Sequence, residues 1–169
     1  GLGDTAVKES HDRIVAAFQN NGIKFPVADI TVNMAPADLR KEGSSYDLPL
    51  AVGLLAAMEL VNTESLSNYM IVGELGLDGR ILPVKGALPI AIKARKEKFK
   101  ALIVPQQNVR EAAVVNNLEV YGMENLKDVI SLLNGNKSFQ PTIVDTRKEF
   151  YENQSHFELD FSDVRGQEN

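Results

Sequence analysis

The residues best placed for chemistry lie in one run, Lys41-Glu42-Gly43-Ser44-Ser45-Tyr46-Asp47-Leu48-Pro49-Leu50-Ala51. It opens as a polar loop and passes without a linker into an apolar helix. Asp47 is a helix-capping residue type, able to accept a hydrogen bond from the first free backbone N–H groups. Pro49 is tolerated there because first-turn N–H groups have no intrahelical partner. Leu50, Leu54 and Met58, with Val52, Leu55 and Ala56, make the helix apolar nearly all round, which predicts burial. A polar loop delivered to the N-terminus of a buried helix brings backbone donors together, and α/β proteins often place chemistry at such junctions.

Other arrangements that could do chemistry are weaker. The glycines at 73, 76 and 79 lack the G-x-G-x-x-G order and precede a strand, so Asp78-Gly79 reads as the turn of a hairpin. No G-x-x-x-x-G-K-[ST] run occurs, so the backbone cradle and lysine that hold nucleotide phosphates are missing. His11 reads as a boundary residue, since the other histidine, His156, lies far along the chain and no metal-ligand spacing results. The basic run Lys93, Arg95, Lys96 and Lys98 reads as a solvated helix face, with a partner surface as the alternative.

At 169 residues the chain fits one domain with a real core, and its 44% hydrophobic and 24% charged content is that of an ordinary soluble globular protein. The lack of cysteine suits a reducing cytoplasm, and no apolar run approaches the roughly 20 residues of a membrane span. A net charge of −5 argues against nucleic-acid binding by bulk electrostatics but leaves room for a local basic patch.

The elements that must position the junction alternate. Asp4 or Thr5 can cap a helix whose apolar stripe is Val7, His11, Ile14, Val15 and Phe18, with Gly22 as its stop. Ile30–Met34 alternates as a strand, and the loop and helix follow. Tyr69–Leu75 and Arg80–Val84 read as two strands, then Gly86–Lys100 as a helix with Leu88, Ile92 and Phe99 on its apolar side. Ala101–Pro105 is an uninterrupted apolar strand of the kind buried on both faces. A helix around Val109–Val115, a strand at Leu118–Tyr121 and a helix from Leu126 to Leu133 complete the body. This order predicts an α+β or α/β layered fold with a mixed sheet. Residues 1–135 form the domain. From Asn136 periodicity disappears, and residues 136–169, with four basic and seven acidic side chains, read as a linker.

Three stretches together resemble a known family. Ile30-Thr31-Val32-Asn33-Met34-Ala35-Pro36-Ala37-Asp38-Leu39-Arg40-Lys41-Glu42-Gly43-Ser44-Ser45-Tyr46-Asp47-Leu48-Pro49 is similar to the N-terminal domain of the magnesium-chelatase-related AAA+ ATPases, the ComM/YifB group. Gly73-Glu74-Leu75 through Pro83-Val84-Lys85-Gly86 resembles the second block of that domain. Asp160-Phe161-Ser162-Asp163-Val164-Arg165-Gly166-Gln167 resembles the segment that opens the AAA+ module. The resemblance implies a Lon-protease-like fold of the ribosomal-protein-type superfamily, carried on a hexameric ring. For the full-length protein it implies ATP and magnesium as cofactors, its own AAA+ module as partner, a cytoplasmic location, and work on DNA such as branch migration in natural transformation. On that comparison the chain reads as a piece clipped at its N-terminal strands and ending before the ATPase, with no cofactor or metal of its own.

The Lon pattern places Ser45 at the nucleophile, and the lysine that should activate it falls on Leu88, which can take no proton. Lys85 lies three residues earlier in a turn, and Lys41 is on the loop. The resemblance therefore implies a non-catalytic domain serving ring assembly or substrate guidance. Two alternatives stand beside it: a DNA-contacting module using Arg40, Lys41, Arg80 and Lys85, and a residual serine peptidase at Ser45.

Overall fold

The computed structural model describes residues 2–25 and 44–145. Helices α1 (Leu2–Asn20) and α2 (Asp47–Ala57) precede strand β1 (Tyr69–Ile71) and a short hairpin, β2 (Glu74–Leu75) and β3 (Ile81–Leu82). Then follow α3 (Ala87–Lys96), β4 (Ala101–Pro105), α4 (Val109–Ala113), β5 (Glu119–Met123) and α5 (Leu126–Leu133). The expected strand over 30–34 and the segment 160–167 lie outside the described residues.

β1, β4 and β5 form a parallel sheet in the order β1-β4-β5, with Tyr69, Ala101 and Glu119 level across it. All five residues of β4 are buried, as expected for an apolar run at the centre of a parallel sheet. Alternation sends Ala101, Ile103, Tyr121 and Met123 into one core with α1, α2 and α5. Leu102, Val104 and Val120 enter a second core with α3 and α4. The result is the layered α/β arrangement, with the antiparallel β2–β3 pair as a separate small sheet.

Three elements differ from the sequence reading. Tyr69–Leu75 is not one strand: β1 ends at Ile71, and β2 joins the hairpin. The break falls at Gly73, whose missing side chain lets Ile81 and Leu48 close over it; an added Cβ would lie 3.0 Å from Ile81 Cγ2 and 3.2 Å from Leu48 Cδ2. On α3 the buried residues are Ala87, Ala91 and Ala94, not Leu88 and Ile92, which are 37% and 44% exposed. Small side chains let this helix sit close to the sheet and α4, and that turns the larger ones outward. On α1 the buried line is Ser10, Ile14, Ala17 and Phe18, while Val7 and His11 are exposed. Beyond α5, Phe139 packs against the first core and Thr142 N–H donates to Val120 O (2.8 Å), so the stretch after Asn136 still leans on the body.

Candidate functional site at the loop–helix junction

Residues Ser44–Tyr46 form a single 3-10 turn that runs directly into α2. The turn is fixed through Gly73, whose N–H donates to Ser45 O (3.0 Å) and whose carbonyl accepts from Leu48 N–H (3.0 Å). Leu48 N–H is one of the first-turn donors that have no partner inside the helix, so the strand-end backbone supplies the cap.

Asp47 does not act as the cap that its position suggests. The N-cap residue is Tyr46, without a side-chain cap bond, and Asp47 begins the helix with its carboxylate turned inward. That carboxylate is fully buried. Oδ2 accepts from Arg13 Nε at 2.6 Å and from Leu75 N–H at 3.1 Å; Oδ1 accepts from Arg13 Nη2 at 2.9 Å and from the Ser10 hydroxyl at 2.5 Å. Arg13 Nη2 also reaches Ser10 Oγ at 3.2 Å. The pairing is bidentate, the geometry in which a guanidinium binds a carboxylate most strongly. The hydrogen bond to Asp47 raises the Arg13 pKa above its already high ordinary value, against the opposing pull of burial. One buried charge thereby joins α1, α2 and β2. The demand of this carboxylate for donors explains why α1 turns Ser10 and Arg13 inward and leaves Val7 outside.

Ser45 is half-buried, and among the described residues no hydrogen bond involves its hydroxyl. Leu88 is the second residue of α3, and its side chain is partly exposed. The turn before it is clamped by Asn108, a buried amide that accepts from Val84 N–H and donates to Val84 O, both at 2.9 Å, and donates to Glu111 Oε1 at 2.8 Å. Lys85 is exposed in that turn. Arg80 is exposed beside the hairpin tip and bonds through Nε to Asp78 Oδ2 (2.9 Å). The Arg80 backbone N–H, which donates to Asp78 Oδ1, and after it the Arg80 side chain hold the Asp78 carboxyl below its usual range. Arg40 and Lys41 lie outside the described residues. Among the described residues, no cluster of three or more His, Asp or Glu side chains could hold a metal ion, and no helix is long and apolar enough to cross a membrane.

The residues that sequence reasoning missed are Ser10, Arg13 and Asn108. A signal existed for the first two: a polar pair three apart in register with Ile14 and Ala17. Asn108 carried none, because two of its three hydrogen bonds go to backbone groups of Val84, 24 residues away.

The family described as subunit ChlI of Mg-chelatase matches residues 1–108. Competence protein ComM of Haemophilus influenzae is 40% identical over 169 residues, 99% of this chain and 33% of that protein. The uncharacterized protein YifB of Escherichia coli is 39% identical over 171 residues, 99% of this chain and 32% of that protein. Lon protease 2 of Syntrophobacter fumaroxidans is 26% identical over 122 residues, 69% of this chain and 15% of that protein. The chain thus spans about a third of the length of the ComM and YifB relatives.

Proposed function

The chain belongs to the Mg-chelatase subunit ChlI family, in its ComM/YifB group, and from that premise we propose that it is a non-catalytic, Lon-like domain of a ComM-type AAA+ ATPase. Its work is to assist ring assembly or to guide DNA during processing such as natural transformation. In the whole protein, ATP and magnesium belong to a separate AAA+ module, and a cytoplasmic hexamer is the working assembly.

The observation that carries this reading is the way the junction is occupied. The one acid at the start of α2 is committed to Arg13, Ser10 and the Leu75 N–H, which makes the junction a structural joint. A serine nucleophile needs a base within hydrogen-bond reach, and the position that the Lon pattern assigns to the base holds Leu88.

Two measurements test the reading. A fluorophosphonate probe should label the wild-type chain and Ser45→Ala equally weakly; labelling that depends on Ser45 would install the peptidase reading instead. In the whole protein, deleting residues 1–145 should impair nucleotide-dependent ring formation or DNA-stimulated ATP hydrolysis. A truncated protein with both intact would refute the assignment.

A further inference from the structure

The exposed side of α3 combines two features that the fold does not use. The first is charge. Lys93, Arg95, Lys96, Lys98 and Lys100 place five cations in eight residues with one acid, Glu97, in a chain whose net charge is −5. Among the described residues none of the five makes an ion pair, whereas Arg13 and Arg80 each do. The second is an outward line of side chains. Leu88, Ile92, and then Arg95 and Lys96 follow the three- and four-residue spacing of one helix face, with Ala87, Ala91 and Ala94 on the buried side.

Helix-end electrostatics account for only part of this. Cations in the last turn offset the negative end of the helix dipole, but the effect fades within that turn, and Lys98 and Lys100 lie beyond it. Lys98 moreover occupies the left-handed region, φ 67°, at the position where helices ordinarily end on glycine. The termination itself is well formed: Lys98 N–H donates to Arg95 O and Phe99 N–H to Ala94 O, both at 3.0 Å. Glycine would fit this turn with less strain, and the lysine that occupies it is exposed.

We propose that this face of α3 and its exit turn bind a nucleic-acid backbone, with Arg95, Lys96, Lys98 and Lys100 taking phosphates and Leu88 and Ile92 covering the apolar sugar edge between the charges. The complementarity lies in uncompensated positive charge meeting a regular line of negative charge, an association driven by release of condensed counterions. The inference rests on the DNA-guidance half of the function above. It also replaces Arg80, whose charge is offset by Asp78, as a contact.

The test is fluorescence anisotropy of the 169-residue chain with labelled single-stranded and duplex DNA at low salt. Arg95→Glu/Lys96→Glu should weaken binding by about tenfold or more and lower the salt slope by about two. Lys8→Glu/Lys127→Glu changes the net charge equally, at exposed positions on α1 and α5, and should cost less than about threefold. Lys98→Gly should weaken binding while leaving thermal stability unchanged or higher, which a merely structural lysine would not do. Equal losses in the two charge-matched pairs would overturn the proposal, as would displacement of DNA by polyglutamate at lower charge than by a second DNA, which would mark an acidic protein partner. Absence of DNA binding overturns it too and leaves ring assembly standing. A failed assembly test alongside α3-dependent DNA binding would reject only the assembly reading.

Discussion

Arg13 and Asp47, 34 residues apart in the chain, meet through two hydrogen bonds of 2.6 and 2.9 Å that fasten α1 to the start of α2. The Asp47 side chain is fully buried and that of Arg13 is 23% exposed, so the pair is largely removed from water. Asp47→Ala leaves a mostly buried guanidinium without its carboxylate, and truncation of one partner of a buried pair costs about 3–5 kcal/mol. Ser10→Ala removes only the hydroxyl donor to the same carboxylate and should cost about 1.5–3 kcal/mol. Urea unfolding of the three proteins should rank them wild type, Ser10→Ala, Asp47→Ala. Equal midpoints would show that the joint contributes nothing to stability.

A second prediction concerns the hairpin tip. Asn20 Nδ2 donates to Leu77 O (2.7 Å) and Asn21 Nδ2 to Asp78 O (3.0 Å), so the end of α1 holds the turn. Gly79 has φ 93°, and a Cβ there would fall 2.2 Å from Asn21 Nδ2. Gly86 also has positive φ, 76°, but nothing lies within 4 Å of its Cβ direction. Gly86→Ala should therefore cost only the backbone term, about 1–2 kcal/mol. Gly79→Ala should cost more, because the side chain of Asn21 must also give up its place. Asn21→Ala in the Gly79→Ala background should recover part of the difference. Equal destabilisation by the two alanines would remove the steric half of this argument.

These two sites show what was legible in the sequence. Asp78-Gly79 announced its turn because the signal is local, a residue type matched to a positive φ. Ala101–Pro105 was equally clear, since a short apolar run with Ile103 and Val104, closed by Pro105, suits a strand buried on both faces. Asp47 misled, because capping is the commonest local use of an aspartate at a helix start, and only the fold brings Arg13 within reach of it. The faces of α1 and α3 were rotated for a related reason. Hydrophobicity ranks Val7 and Leu88 above Ser10 and Ala91, whereas the structure selects for donors to a buried carboxylate in one case and for close approach in the other. At the candidate site, sequence alone could place Ser45 and Leu88 on their elements, but not the Gly73 backbone that fixes the turn.

The Asn108 clamp leads to a third prediction. Its amide meets both backbone groups of Val84 and one Glu111 oxygen, so donor and acceptor are all used inside a buried site. Asn108→Ala abandons those partners and should destabilise by about 2–3 kcal/mol. Asn108→Asp retains the acceptor for Val84 N–H but sets a carboxylate against Val84 O and Glu111, and should be at least as damaging near neutral pH. Glu111→Gln combined with Asn108→Asp should recover stability through removal of the like charge. No recovery in that double variant would place the cost elsewhere.

The last prediction uses the tyrosines at the start of the parallel sheet. The rings of Tyr69 and Tyr121 lie 6.2 Å apart at 51°, and Glu119 stands next to them on the same face, its Oε2 3.5 Å from the Tyr121 hydroxyl. Burial, reinforced by the negative charge of Glu119, pushes Tyr121 up to about 12 and raises Tyr69 in the same direction. The unfolded chain ionises its tyrosines near 10. Between those values the unfolded state releases protons that the native state still holds, so stability falls as pH rises. Their contribution is fully present below about pH 10 and is lost progressively as pH climbs through about 12. Phenolate absorbance should show delayed ionisation in the native protein, and unfolding free energy measured over the same range should decline. Tyr121→Phe should flatten that decline, because it removes the most shifted group. Glu119→Gln should flatten it only partly, since burial is the larger cause. A native titration near 10 for both rings would contradict the buried setting assigned to them.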